Sequence, residues 1–113
     1  MAATEKLDAF LKMLDAGQDG PMLRYAIGLE YLHADRFDEA AQHLGECLSQ
    51  SPDYSAAYKA LAEAQDALGD SEPCRATLDA GIERAEANGD LQAKKEMEVY
   101  RKRLDKGKPL RNR

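Results

Sequence analysis

Arg24-x-x-Ile27-Gly28-x-x-Tyr31, then Ala40-x-x-x-Leu44, then Pro52, returns further along as Tyr58-x-x-Leu61-Ala62-x-x-Gln65, then Cys74-x-x-x-Leu78, then Glu86. Each residue of the second block lies 34 positions beyond its partner: Arg24 to Tyr58, Ile27 to Leu61, Ala40 to Cys74. Within a block, the three- and four-residue steps place the named positions on one face of a helix. A period of this length marks a pair of helices that cannot bury its apolar face alone and must stack on a copy of itself. Such an array builds a surface for holding another polypeptide rather than a pocket for chemistry.

Working outward, six helical segments can be read. Over Thr4 to Asp15, Leu7, Phe10, Leu11 and Leu14 form one apolar stripe, and Gly17 and Gly20 follow it. Pro21 sits in the first turn of a second helix, where proline is tolerated, and that helix runs to about Ala34. A third starts after Asp35-Arg36, with Asp38 and Glu39 at the positive end of its dipole, and stops near Ser51-Pro52. Asp53 is the expected cap of the fourth, which ends at Gly69; Pro73 opens the fifth, which closes at Asn88-Gly89. Asp90 caps the sixth, where Ala93, Met97, Tyr100 and Leu104 share a face, and Lys108-Pro109 is expected to end ordered structure. The short connections force consecutive helices to pack antiparallel. The expected fold class is therefore all-α.

Composition sets bounds on function. At 113 residues the chain is one domain, long enough to bury roughly two-thirds of its unfolded surface. Hydrophobic residues at 43% and charged residues at 33% exclude disorder throughout. No apolar run approaches the roughly 18 residues of a membrane span. The opening Met-Ala-Ala-Thr-Glu-Lys-Leu lacks a basic region followed by an apolar stretch, so a cytoplasmic location and no membrane partner are expected. Cys47 and Cys74, the two cysteines, fall on core faces and read as inert fillers. The net charge of −5 is uneven: from Arg101 onward seven basic residues face one acid, Asp105, a local +6 that leaves −11 on the first hundred residues. An acidic body with a basic tail argues against nucleic-acid binding, which needs a cationic face.

These residues resemble the tetratricopeptide repeat. In the unit from Pro21 to Tyr54, Gly28 matches the small residue that lets paired helices approach, Tyr31 the aromatic of the first helix, and Ala40 the packed alanine after the turn. Leu44 and Cys47 continue the second helix's core face, and Pro52 closes the unit; Arg24 departs from the family's aromatic. In the unit from Ser55 to about Asn88, Tyr58, Leu61, Ala62 and Gly69 match, whereas Cys74 stands for alanine and Glu86 for the closing proline. The resemblance implies a capping helix (1–20), two repeats (21–54 and 55–88), a C-terminal capping helix (89–106) and a basic disordered tail (107–113), stacked as a short right-handed solenoid. Small stand-alone bacterial proteins with two such repeats are similar along their whole length.

In this family the first helix of each pair lines the concave surface. That places Met22, Tyr25, Leu29, Leu32 and His33 on a groove-facing stripe, followed by Lys59, Glu63 and Asp66 on the next first helix and Lys94, Met97, Tyr100 and Arg101 on the last. The expected groove is apolar at one end, mixed in the middle and basic at the far end, suited to a protein or peptide segment with an apolar anchor and nearby acids. Tyr25 and Leu29 occupy the places where some family members clamp a chaperone's terminal carboxylate with Lys and Asn, so that ligand is not carried over. A competing reading makes the Met22/Tyr25/Leu29 face and the first helix a homodimer interface, so the expected state is a monomer or a homodimer. A third reading is a minimal enzyme or nucleic-acid binder relying on the tail. Against it, His43 and Cys47 are four apart on one helical face but only His33 and Cys74 remain as further soft ligands, with no paired spacing, and no phosphate loop, nucleophile elbow or zinc-protease motif is present. No catalytic residue, metal or cofactor is expected.

Overall fold

The computed structural model describes residues 2–111. Among these are six helices and no strand: α1 (Ala2–Asp15), α2 (Pro21–His33), α3 (Phe37–Gln50), α4 (Ser55–Ala67), α5 (Ser71–Ala87) and α6 (Leu91–Asp105). Consecutive helices pack as antiparallel hairpins. In addition α2 lies against α4 and α4 against α6, whereas α1, α3 and α5 make no such contacts with one another. One layer is thus drawn together while the other is splayed, and this is what curves the stack.

The 34-residue register holds in the core. Gly28 and Ala62, Ala40 and Cys74, Leu44 and Leu78, and Cys47 and Gly81 are buried at corresponding places in the two units. Ile27 is fully buried and Leu61 packs partly buried against the same cluster. The turns correspond as well. Asp35 (φ 59°) and Gly69 (φ 78°) both take the left-handed conformation. In each, the next N–H donates back to a carbonyl in the helix, Arg36 to Tyr31 and Asp70 to Gln65, both at 2.9 Å.

The departures between units compensate one another. Tyr31 stacks on His43, with ring centroids 5.6 Å apart. At the matching positions the Thr77 hydroxyl donates to Gln65 Oε1 at 2.7 Å. Arg24 grips Asp19 through Nε and Nη2 at 2.9 and 3.0 Å, and its Nη1 donates to His43 Nδ1 at 3.1 Å. Its counterpart Tyr58 is buried, and its hydroxyl donates to the Pro52 carbonyl at 2.7 Å. The central helix α4 touches α2, α3, α5 and α6, and its buried Ala57, Ala60, Ala62 and Ala64 permit close approach on several sides.

Three local expectations are corrected. Asp53 does not cap α4: Tyr54 holds that place without a side-chain bond, and Asp53 pairs with Arg84 across the turn at 2.9 Å. Helix α5 begins at Ser71, two residues before Pro73. Most consequentially, order does not end at Lys108-Pro109. Leu110 is 2% exposed within the α4–α6 core and Arg111 is half-buried, so the chain is anchored back on the helices at 110–111 while 107–109 stay exposed. Residues 112 and 113 of that expected tail lie outside the described residues.

Candidate functional site

Helices α2, α4 and α6 form the inner layer, and a cleft of about 350 Å³ runs between them. Its apolar surface comes from Tyr25 and Leu29 on α2, Ala56 and Ala60 on α4 and Ala93 on α6; Lys59, Glu63, Asp90 and Glu96 supply its charges. Tyr25 is held by Tyr54 from the turn before α4, their ring centroids 5.0 Å apart and tilted by 39°. Burial, then the neighbouring Tyr54, raises the Tyr25 phenol above its ordinary pKa, so it is a neutral hydrogen-bonding group at physiological pH.

The charged side chains are organised across helices. Lys59 Nζ reaches Glu96 Oε1 at 3.3 Å and lies 5.4 Å from the centre of the Tyr100 ring. This replaces the Lys59–Glu63 pairing that their four-residue spacing offers. Glu63 instead lies beside the Tyr100 hydroxyl and faces Arg111 Nε at 3.5 Å. Tyr100 is held protonated well above the usual tyrosine range, first by burial and then by the charge and hydrogen bond of Glu63. The Gln92 amide, and after it the Lys59 ammonium, lowers the pKa of Glu96.

The structure gathers some of the sequence-assigned groove residues and disperses others. Tyr25, Leu29, Lys59 and Glu63 meet at the cleft, with Tyr100 beside them under Lys59. Met22, 74% exposed, and His33, also exposed, do not line it. Leu32 and Met97 are corrected from groove to core. Leu32 is 2% exposed in the cluster formed by α1–α4, and Met97 is fully buried against Gly81 of α5. Lys94 and Arg101 belong to the α5–α6 contact, pairing with Glu86 at 3.3 Å and Asp79 at 2.8 Å. The far end is consequently not basic. Asp66 faces the chain terminus, accepting the Leu110 N–H at 3.0 Å.

Tyr54, Ala60, Ala93 and Glu96 were not foreseen. Glu96 carried a usable signal, since it lies on the same cap helix as Lys94 and Tyr100 and offers Lys59 an opposite charge.

Among the described residues no group of three or more His, Cys, Asp or Glu side chains is placed to hold one metal ion. His43 is engaged by Arg24 and Tyr31. The Cys47 and Cys74 thiols are buried and pushed up to about 11 by desolvation, which makes them poor ligands and nucleophiles.

Comparison with known proteins places this geometry. A family model described as tetratricopeptide repeat matches residues 31–97. The TPR repeat-containing protein PA0015 of Pseudomonas aeruginosa is 39% identical over 102 residues, which span 90% of this chain and 97% of that protein. The solution structure of protein BPP2914 from Bordetella parapertussis resembles this one with a TM-score of 0.79 at 33% identity, over 89% of this chain and 88% of that one. The 34-residue register, the curved two-layer stack and these matches agree, and the chain belongs to the tetratricopeptide-repeat family.

Proposed function

We propose that this chain is a non-catalytic adaptor or scaffold that holds a peptide or protein segment in the cleft between α2, α4 and α6. Proteins of this family generally mediate protein–protein interaction. The observation that carries the reading is the cleft's make-up: an apolar surface of Tyr25, Leu29, Ala56, Ala60 and Ala93 beside Lys59, Glu63, Asp90 and Glu96. That combination of an apolar anchor site and orienting charges is what peptide grooves require. No helix among the described residues is long and apolar enough to cross a membrane. The acidic body gives no cationic face for nucleic acid.

The test replaces Tyr25 and Leu29 together with Glu. A partner captured by the parent chain is expected to be lost, with helicity and molecular mass unchanged. Retention of every partner by the double variant would refute the cleft as the binding place. If the change instead alters molecular mass, the same face is a homodimer interface.

A further inference from the structure

The cleft at Tyr25 is one end of the inner layer; the other end is already occupied. After α6, Gly107 (φ 70°) turns the chain, and residues 108–111 cross back over the ends of α2 and α4. Asp66 Oδ2 accepts the Leu110 N–H at 3.0 Å, while Arg103 Nη1 donates to the carbonyls of Pro109 and Leu110 at 3.3 and 3.5 Å. One acid and one base thus grip the backbone of a bent, non-helical segment without reading its sequence.

Its side chains are read separately. Leu110 is sunk into the core beside Leu104. The Arg111 guanidinium donates to the Leu32 carbonyl at 3.4 Å, lies 3.5 Å from Glu63 and 3.7 Å from Asp35, and sits 5.9 Å from the Phe37 ring centre. The crossing segment also borders a cleft of about 740 Å³, lined by Phe37, Glu63, Asp66, Arg103 and Leu104 together with 107–109 and Arg111.

This is how a peptide would be held, and it is realised with the chain's own terminus. We infer that this end of the groove is the docking place for a non-helical partner segment in which an apolar residue is followed directly by arginine, and that Leu110-Arg111 holds the place until such a segment displaces it. The inference rests on reading the inner layer as a partner groove, and it names the chemistry of the partner. Charge complementarity supports it: the guanidinium of Arg111 is met by two carboxylates, Glu63 at 3.5 Å and Asp35 at 3.7 Å. A tethered occupant competes at high effective concentration, so a free segment binds the parent chain weakly and an opened chain strongly.

The probe is a labelled synthetic peptide of residues 106–113, Lys-Gly-Lys-Pro-Leu-Arg-Asn-Arg, with a control carrying Leu110→Ser and Arg111→Glu. The protein is the full chain, as parent and as Arg111→Glu, whose terminus is repelled by Asp35 and Glu63. Polarisation titrations are expected to give the Arg111→Glu chain at least tenfold tighter binding of the native peptide than the parent, and at least tenfold preference over the control peptide. A second readout needs no variant: excess native peptide added to the parent speeds hydrogen exchange at the Leu110 amide. Equal binding by both chains, or of both peptides, overturns the inference. So does a two-chain parent that becomes single on Arg111→Glu, because the occupant is then a second copy's terminus. If these tests fail while the Tyr25/Leu29 variant still loses its partner, the groove stands and only this partner chemistry falls.

Discussion

Three glycines inside helices make the same substitution give opposite signs. Exchanging an interior helical Gly for Ala gains about 0.5–1 kcal/mol from backbone entropy wherever the methyl fits. At Gly45 on α3 an added Cβ meets nothing within 4 Å, so Gly45→Ala is expected to stabilise the protein by that amount. At Gly28 on α2 the added Cβ would lie 2.6 Å from Leu44 Cγ and 2.7 Å from its Cδ2. Leu44 is fully buried and can retreat only by parting α2 from α3. Overpacking of this kind costs about 1–3 kcal/mol, which leaves Gly28→Ala about 1–2 kcal/mol less stable after the backbone gain. At Gly81 on α5 the new atom would meet Met97 Sδ at 2.5 Å and Tyr58 Cβ at 2.7 Å. The thioether can swing away, but Tyr58 Cβ is fixed to the α4 backbone, so Gly81→Ala sits at the top of the same net range, about 2 kcal/mol. Urea and thermal unfolding followed by circular dichroism measure all three, with 1 kcal/mol worth about 4 °C at this chain length. Gly28→Ala or Gly81→Ala unfolding at or above the parent would refute the close helix contacts, and Gly45→Ala falling below it would refute the backbone argument.

His43 sets a pH dependence. Burial first, and then the Arg24 guanidinium, lower its pKa below the ordinary value of 6.5. Arginine only donates, so Nδ1 must be the unprotonated acceptor. Because the folded pKa is depressed, the His43 contribution is complete above about pH 6.5 and is lost as pH falls through the lower folded value. Melting temperature is expected to fall between about pH 7 and 5, and His43→Gln is expected to flatten that slope; an unchanged slope contradicts the buried neutral imidazole. Leu110→Ala is expected to cost about 2 kcal/mol, the low end for a buried leucine because the adjoining residues 107–109 are exposed; a parental melt would mean that Leu110 is not part of the core. The two thiols, raised to about 11, are expected to react with a disulfide reagent near neutral pH at least a hundredfold more slowly than a free cysteine, and at full rate in denaturant; rapid labelling of the folded chain contradicts their burial.

Much of the fold was legible because its signals are local. Helical period, left-handed stops and a 34-residue register all lie within a short window, and residues such as Gly28, Ala40 and Leu44 occur in register with Ala62, Cys74 and Leu78. The site was less legible because it depends on what lies across from each helix. Rotation at 100° per residue put Leu32 and Met97 on the groove side, yet the α1–α4 cluster surrounds one and Gly81 admits the other. Lys94 and Arg101 read as groove cations because their α5 acids, Glu86 and Asp79, are not helical neighbours in sequence. The terminus was misjudged for the same reason. Arg111 meets Leu32 across 79 residues of sequence, and Leu110 meets Asp66 across 44, distances no periodic pattern spans.

The charge asymmetry takes on a different meaning once those pairings are seen. A body of −11 and a terminus of +6 looked like two electrostatic regions. Yet Arg101 and Arg75 converge on Asp105 at the end of α6, and Arg111 settles between Asp35 and Glu63. The acids of the inner layer and the basic terminus are parts of one arrangement. Glu63 is its pivot: it borders both clefts, lies beside Tyr100 and faces Arg111. A partner at the Tyr25 end that draws on Glu63 competes with Arg111 for the same carboxylate, and by reciprocity a displaced terminus leaves Glu63 freer to serve that partner. On the proposed reading, Glu63 is the side chain common to both ends of the groove.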